Sequence, residues 1–410
     1  MNTSLKDFEV NYWGPQGSQI NRKGESFHSD MKSRIFAFIF LILIYQISVE
    51  AQGLRFSADD LRFQLEVVLD DLDHPWGMVF IADNDLLITE RTGKLRMVQD
   101  WQLLDEEISG LPRIQEVGQG GLLGIALHND FKSNRLVYLS YTGQEGRVNT
   151  TEVLRGKLQD SRLEDIEVIF RALPKQRGGY HFGSRLVFAD DGSLFISLGD
   201  RGANPGLGRN HPAQQVNNHL GSLIRVNDDG TVPADNPFLE HANAKPEIYT
   251  YGNRNMQGMA IHPVSREIWT HEHGPQGGDE INIMKPGVNY GWPVITYGAN
   301  YGTGTRIGEG THREGMQQPI HKWVPSIAPS GMMFYTGNKF PAWQGDLFVG
   351  SLKFGQLVRL EVTEESVVKE ERLLNFEFGR IRDVVQGPDG YIYLLTDSNN
   401  GKLLRIRPTD

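Results

Sequence analysis

The 410-residue sequence predicts an all-β fold, a six-bladed β-propeller with long inserted loops, and three observations predict it. The first is a recurring segment: a turn, four or five apolar or aromatic residues, then a polar group. It appears as NDLLITE (84–90), NRLVYLSY (134–141), GSLFISLGD (192–200), REIWTHEHG (266–274), GDLFVGSLK (345–353) and GYIYLLTD (390–397). The second is a Gly-x-Leu segment followed by arginine, in GKLRMV (93–98), GSLIRV (221–226), GQLVRL (355–360) and GKLLRI (401–406). Each reads as the hairpin partner of the strand before it. The third is spacing. From Leu86 through Leu136, Leu194, Ile268 and Leu347 to Ile392, the intervals are 50, 58, 74, 79 and 45 residues. Unequal repeats of this size, each holding several strands, indicate propeller blades. A two-sheet sandwich would not explain a six-fold recurrence. The two longest intervals must hold the inserted loops.

The register carries a consequence for function. Residues ending equivalent strands should gather at one end of the propeller: Glu90, Tyr141, Asp200, His273, Lys353 and Asp397. That end is polar and is the expected site.

Composition narrows the function. A net charge of −10 argues against general nucleic-acid binding and makes any local basic cluster informative. The absence of cysteine excludes disulfides, thiolate metal sites and cysteine nucleophiles. It also excludes haem attachment through Cys-x-x-Cys-His. Met31-Lys-Ser-Arg precedes an apolar run from Ile35 to Tyr45, and Ala51 ends the segment. A basic start, a short apolar run and a small final residue form a secretory signal over 31–51, with the cut expected after Ala51. An N-terminal anchor helix is the alternative, but the run is short for a membrane span. Residues 1–30 read as a polar extension, with Met31 an alternative start. The catalytic domain is expected over 56–410, periplasmic or secreted, with no stable membrane insertion once the signal is cut.

Three constellations carry chemistry. The stretch from Tyr251 to Tyr301 is rich in glycine and reads as a long functional loop. Within it, Asp279 and Glu280 follow two glycines and suit a hard cation that takes oxygen ligands. His181 and Asp200 form a histidine–carboxylate pair in which the carboxylate could fix the tautomer of a general base. As a bare spacing, such a pair is more often structural. Lys353, Arg380 and Arg382 form a cationic group; GRIRD (379–383) alternates, so a strand there would put both arginines on one face. Such a group suits a polycarboxylate, and separate solvated charges are the other reading. No Gly-x-Ser-x-Gly elbow and no His-Glu-x-x-His zinc motif occurs.

Six motifs together resemble the quinoprotein aldose dehydrogenases of the glucose/sorbosone dehydrogenase family, over roughly residues 60–408. They are GQGGLLGIALHNDF (118–131), HFGSRLVFADDGSLFISLGDRG (181–202), YGNRNMQGMAIHP (251–263), EHGPQGGDEINI (272–283), NYGWP (289–293) and RIRDVVQGPDGYIYLLTD (380–397). The resemblance implies a six-bladed propeller that binds pyrroloquinoline quinone (PQQ) and calcium and oxidises the C1 hydroxyl of aldoses to lactones. It implies His181 as general base, Asp200 as its orienting partner and Arg254 beside the reactive carbonyl of the cofactor. Gln119, Arg254, Asn255 and Tyr301 are implied cofactor contacts, and Lys353, Arg380 and Arg382 the binders of its carboxylates. Gly274 and Pro275 resemble the carbonyl ligands of a catalytic calcium. Asp279, Glu280 and Tyr290 resemble a second, structural calcium site, with Glu280 binding through its side chain and the other two through carbonyls. The sequence departs from the frequent Arg-Asn-Pro at Met256. The implied partners are aldose sugars and a separate electron acceptor, a quinone or cytochrome. Two other functions fit a propeller: a calcium-dependent lactonase, which would not need the three cations near the end of the chain, and a non-catalytic binding propeller, which could dispense with His181 and Arg254.

Overall fold

The computed structural model describes residues 54–58 and 61–409. The expected signal segment 31–51 and the extension 1–30 lie outside the described residues. Among the described residues no helix is long and apolar enough to cross a membrane.

Six antiparallel sheets follow one another along the chain. The first holds Pro75–Phe80, Leu86–Glu90, Leu95–Gln99 and Gln102–Leu103, and the second holds Leu122–Leu127, Leu136–Glu145, Val148–Gln159 and Arg162–Arg171. The third is built from Leu186–Phe188, Leu194–Ser197, Leu223–Val226 and Ile248–Thr250, the fourth from Met256–Ile261, Ile268–Glu272, Asp279–Met284 and His321–Trp323. The fifth comprises Pro329–Phe334, Leu347–Ser351, Leu357–Val362 and Val367–Arg372. The sixth joins Ile381–Gln386, Ile392–Thr396 and Gly401–Pro408 to Leu61–Leu72 from the start of the domain, with Leu54–Ala58 on its edge. This last pairing, Phe63 opposite Pro408 and Val67 opposite Leu404, closes the ring by hydrogen bonds between the two ends of the domain. The first strand of each blade packs against the first strand of the next, all the way round.

Each of the six recurring segments is the second strand of a blade, and each Gly-x-Leu segment is a third strand. The second strands are sandwiched between neighbouring blades. Leu86–Glu90, Ile268–Glu272, Leu347–Ser351 and Ile392–Thr396 are buried at every position. A strand covered on both faces needs a continuous apolar run, which is why these segments do not alternate. The apolar core lies in the seams. Trp269, Val349, Val358 and Leu360, for example, pack between blades four and five.

The inserted loops fall in the two longest intervals, over 198–222, 227–247 and 285–320. The stretch 251–301 departs from the long-loop expectation. It is mostly blade four, with three strands inside it, and only its last part is irregular. Three of its glycines, Gly274, Gly277 and Gly278, serve the tight turn at 274–278. Gly278 has φ +75°, and a Cβ there would lie 2.6 Å from the Gly298 nitrogen.

Candidate active site

Strand ends from several blades surround a cavity of about 980 Å³ at the polar end of the propeller. His273, Lys353 and Asp397, three of the six expected strand-end residues, line it. So do Gln119, Asn255, Tyr301, Arg380, Arg382 and Pro275. His181 and Arg254 are not in its wall themselves. Each is one hydrogen bond away: the His181 backbone N–H donates to Gln119 Oε1 at 2.9 Å, and Arg254 Nη1 donates to the His273 carbonyl at 3.0 Å.

The histidine–carboxylate pair forms. His181 Nδ1 lies 2.6 Å from Asp200 Oδ1. The acceptor is a carboxylate, so Nδ1 carries a proton, and in the neutral ring Nε2 is the free lone pair. His181 has φ +51°, a left-handed conformation that is uncommon for a residue other than glycine and that its surroundings hold here. The enforcement is visible. Gly199 passes so close that a Cβ there would lie 2.2 Å from the His181 carbonyl oxygen. Arg201 lies over the Phe182 ring at 3.6 Å and donates to the carbonyls of Gly178 and Tyr180. Asp200 is buried. Burial works to raise its carboxyl, but the His181 hydrogen bond and the charges of His181 and Arg254 outweigh it, holding Asp200 below the usual carboxylate range. His273 is the opposite case. Burial, with nearby Arg254 and Arg382, lowers it to about 3, so it stays neutral and donates from Nε2 to the Pro329 carbonyl at 2.6 Å.

The three cations do converge, with one feature the sequence did not foretell. Asp397 stands between the two arginines, 2.6 Å from Arg382 Nη2 and 3.1 Å from Arg380 Nη2. Burial works to raise Asp397, and the Arg382 and Arg380 charges more than reverse it, to about 2. Arg382 is buried, and its Nε has no hydrogen-bond partner among the described residues. Lys353 is exposed beside the Phe354 ring and forms no ion pair among the described residues. Two arginines and a lysine against one aspartate leave an excess of positive charge on this wall. An unpartnered buried guanidinium nitrogen fits an anionic ligand.

The metal expectations need a correction. Asp279 and Glu280 are successive residues of one strand, so their side chains point to opposite faces and cannot share an ion. The Asp279 carboxylate is already occupied. It accepts from the backbone N–H groups of Gly274, Ile327 and Ala328 at 2.8–2.9 Å and from Ser326 Oγ at 2.9 Å. It therefore ties the 274–278 turn to the start of blade five. Glu280 instead faces Glu272, its direct partner across the ladder, and both are buried. Burial raises Glu280 well above the usual carboxylate range, and the Glu272 charge adds to it; burial raises Glu272 to about 7. Two buried carboxylates opposite each other suit a hard cation as donor set. Glu272 was not singled out from sequence. Tyr290 makes no hydrogen bond to Glu280; its hydroxyl donates to the Ile283 carbonyl at 2.6 Å. Among the described residues no group of three or more His, Asp or Glu side chains is gathered for a metal, so carbonyl oxygens would have to complete either site.

Sequence and structure comparisons agree with this architecture. The family described as Glucose / Sorbosone dehydrogenase matches residues 72–405. The aldose sugar dehydrogenase YliI of Escherichia coli is 45% identical over 351 residues, covering 84% of this chain and 92% of that protein. The crystal structure of the soluble aldose sugar dehydrogenase from Escherichia coli in the apo-form superimposes with a TM-score of 0.80 at 43% identity, covering 85% and 100% of the two chains. The PQQ-bound form of an aldose sugar dehydrogenase from Streptomyces coelicolor does so at 0.67 and 25% identity, covering 84% and 98%.

Proposed function

Because the chain belongs to the glucose/sorbosone dehydrogenase family, and is thereby an oxidoreductase acting on sugars, we propose that it is a quinoprotein oxidising the C1 hydroxyl of aldoses to lactones, with His181 as general base. One observation carries this reading: the histidine–aspartate pair lies one hydrogen bond, through Gln119, behind the wall of the cavity that the cationic group lines, as a reaction needing both a base and an anionic cofactor requires.

PQQ, when bound, supplies the two-electron acceptor. Lys353, Arg380 and Arg382 would hold its carboxylates, and Gln119, Asn255 and Tyr301 would form the walls beside it. His181 Nε2 would take the proton of the C1 hydroxyl, and Asp200 would stabilise the imidazolium that results. Arg254 keeps positive charge beside the cavity, where it favours the negative charge that develops during oxidation. The carbonyls of Gly274 and Pro275 would offer a calcium ion its protein ligands, and such an ion acts as a Lewis acid. Glu280, with Glu272 opposite and carbonyls such as those of Asp279 and Tyr290, would hold a second, structural calcium. The signal-like segment 31–51 supports a periplasmic or secreted location. Electrons would leave to a separate carrier, a quinone or cytochrome, since the chain has no cysteine for haem attachment.

The test is dye reduction by purified protein supplied with PQQ and calcium, using a panel of aldoses. PQQ-dependent reduction is expected. Calcium-dependent lactone hydrolysis without any PQQ-dependent reduction would replace this reading with the lactonase one.

The structural calcium has its own test. A ligand that binds only the folded protein raises its melting temperature by mass action. Calcium added to cofactor-free protein should therefore raise the melting temperature, and Glu280→Ala should abolish most of that rise while leaving PQQ-dependent activity measurable in excess calcium. An equal rise in both proteins, seen by calorimetry, would remove Glu280 from any calcium site.

A further inference from the structure

Trp292, in the insertion between the third and fourth strands of blade four, touches two of the three residues given catalytic roles, Asp200 and Arg254. Its indole Nε1 donates to Asp200 Oδ2 at 2.7 Å. Its ring lies 5.3 Å from the Arg254 guanidinium carbon. The residue is buried with Ala213 and Ile307. Its backbone is fixed on both sides: its N–H donates to the Gly252 carbonyl at 2.8 Å, and its carbonyl accepts from Gln214 Nε2 at 2.8 Å. The indole is thus held in place independently of the aspartate it contacts.

The two oxygens of Asp200 have different duties. Oδ1 faces His181 and also accepts the Gly202 N–H at 2.9 Å. Oδ2 faces inward. His211 Nε2 lies 3.7 Å from it, beyond hydrogen-bond reach, and has no hydrogen-bond partner among the described residues. His211 Nδ1 accepts from the Ala213 N–H at 3.2 Å, so Nε2 is its protonated nitrogen. The indole N–H is therefore the one hydrogen-bond donor to the inner oxygen of this carboxylate among the described residues.

We propose that Trp292 is a positioning residue for the oxidation: its N–H holds the inner oxygen of Asp200, fixing the carboxylate as an anion aimed at His181, while its ring face backs Arg254. The role rests on the dehydrogenase reading for its catalytic meaning, but not for its geometry. Without the N–H, a buried oxygen loses its donor. The less stabilised negative charge is then answered by tighter proton binding to the His181–Asp200 pair, whichever member takes the proton. The other charged and titratable groups facing Asp200 are Arg254, Arg201, His211 and Glu272, and the substitution leaves all of them in place.

Trp292→Phe keeps an aromatic ring beside Arg254 and removes only the donor and some volume. With the holoenzyme, kcat should fall about 10- to 100-fold, the rate equivalent of one hydrogen bond to a buried charge. The acid limb of kcat/KM should move to higher pH by about one unit, because the base must lose a more tightly bound proton. A fall in kcat and melting temperature with the acid limb unmoved would overturn the proposal. A second measurement needs neither PQQ nor sugar, nor a variant that folds well. In 15N-labelled cofactor-free wild type, the Trp292 indole N–H signal should be shifted downfield, protected from exchange, and perturbed as the pair titrates. A fast-exchanging signal at the free-indole position, insensitive to pH, would sink the clamp even if dehydrogenase activity is found. A protected signal in a protein without that activity would leave the clamp and refute its catalytic meaning.

Discussion

Alanine in place of His181 should slow aldose oxidation by at least about 10²-fold, with PQQ affinity near that of the parent protein. The reasoning is geometric. His181 Nδ1 is committed to Asp200, so Nε2 alone is left to accept a proton. The proposed carboxylate binders are contributed by blades five and six, whereas His181 belongs to the segment leading into blade three. Removing the imidazole therefore leaves the cationic wall intact. The outward hold on the local backbone also survives, since Arg201 grips Gly178 and Tyr180 and not the histidine ring. Steady-state kinetics and a PQQ titration on the same preparation check both halves. Near-normal turnover would exclude His181 as base, and a parallel loss of PQQ binding would mean that it holds the cofactor instead.

Arg382→Ala should weaken PQQ binding by about 1.5–3 kcal/mol, the usual worth of a hydrogen bond to a charged group. Lys353→Ala should cost less, because its ammonium is exposed and screened by solvent. Neither change should raise the Michaelis constant for sugar by a comparable factor. Arg382 has the larger expected effect because it is buried with an unpartnered Nε. Its removal also leaves Asp397 to Arg380 alone, which puts an imperfectly compensated carboxylate in the cavity wall. Calorimetric titration with PQQ separates the cases. Unchanged affinity in both variants would mean that the wall is ordinary surface charge held together by Asp397.

The blades were legible because burial between neighbouring sheets demands the same short apolar run in each second strand. Leu86, Leu136, Leu194, Ile268, Leu347 and Ile392 occupy equivalent places for that reason. The strand-end rule was met by half of its residues: His273, Lys353 and Asp397 meet at the cavity from three different blades, whereas Glu90, Tyr141 and Asp200 do not line it. What escaped was pairing across space. Asp397 was recognised as a strand end, but nothing in the chain announced that it would neutralise Arg382. Trp292 and Asp200 lie far apart in sequence and meet only because an insertion folds back over blade three. Glu272 and Glu280 could have been found. They are the two ends of one hairpin, and opposing residues in a hairpin share a face. The glycine-rich turn between them instead suggested a loop, and a loop places no constraint on which way Asp279 and Glu280 point.

The most direct test of the whole account is a single turnover. Cofactor-free protein is loaded with equimolar PQQ and excess calcium, then mixed with an aldose and no external acceptor. In the parent protein the quinone absorption should be lost as stoichiometric lactone forms. In His181→Ala, PQQ should bind with the same stoichiometry and the absorption should persist on the same timescale. Reduction at equal rates in both proteins, or no lactone from the PQQ-loaded parent, would contradict the proposed mechanism.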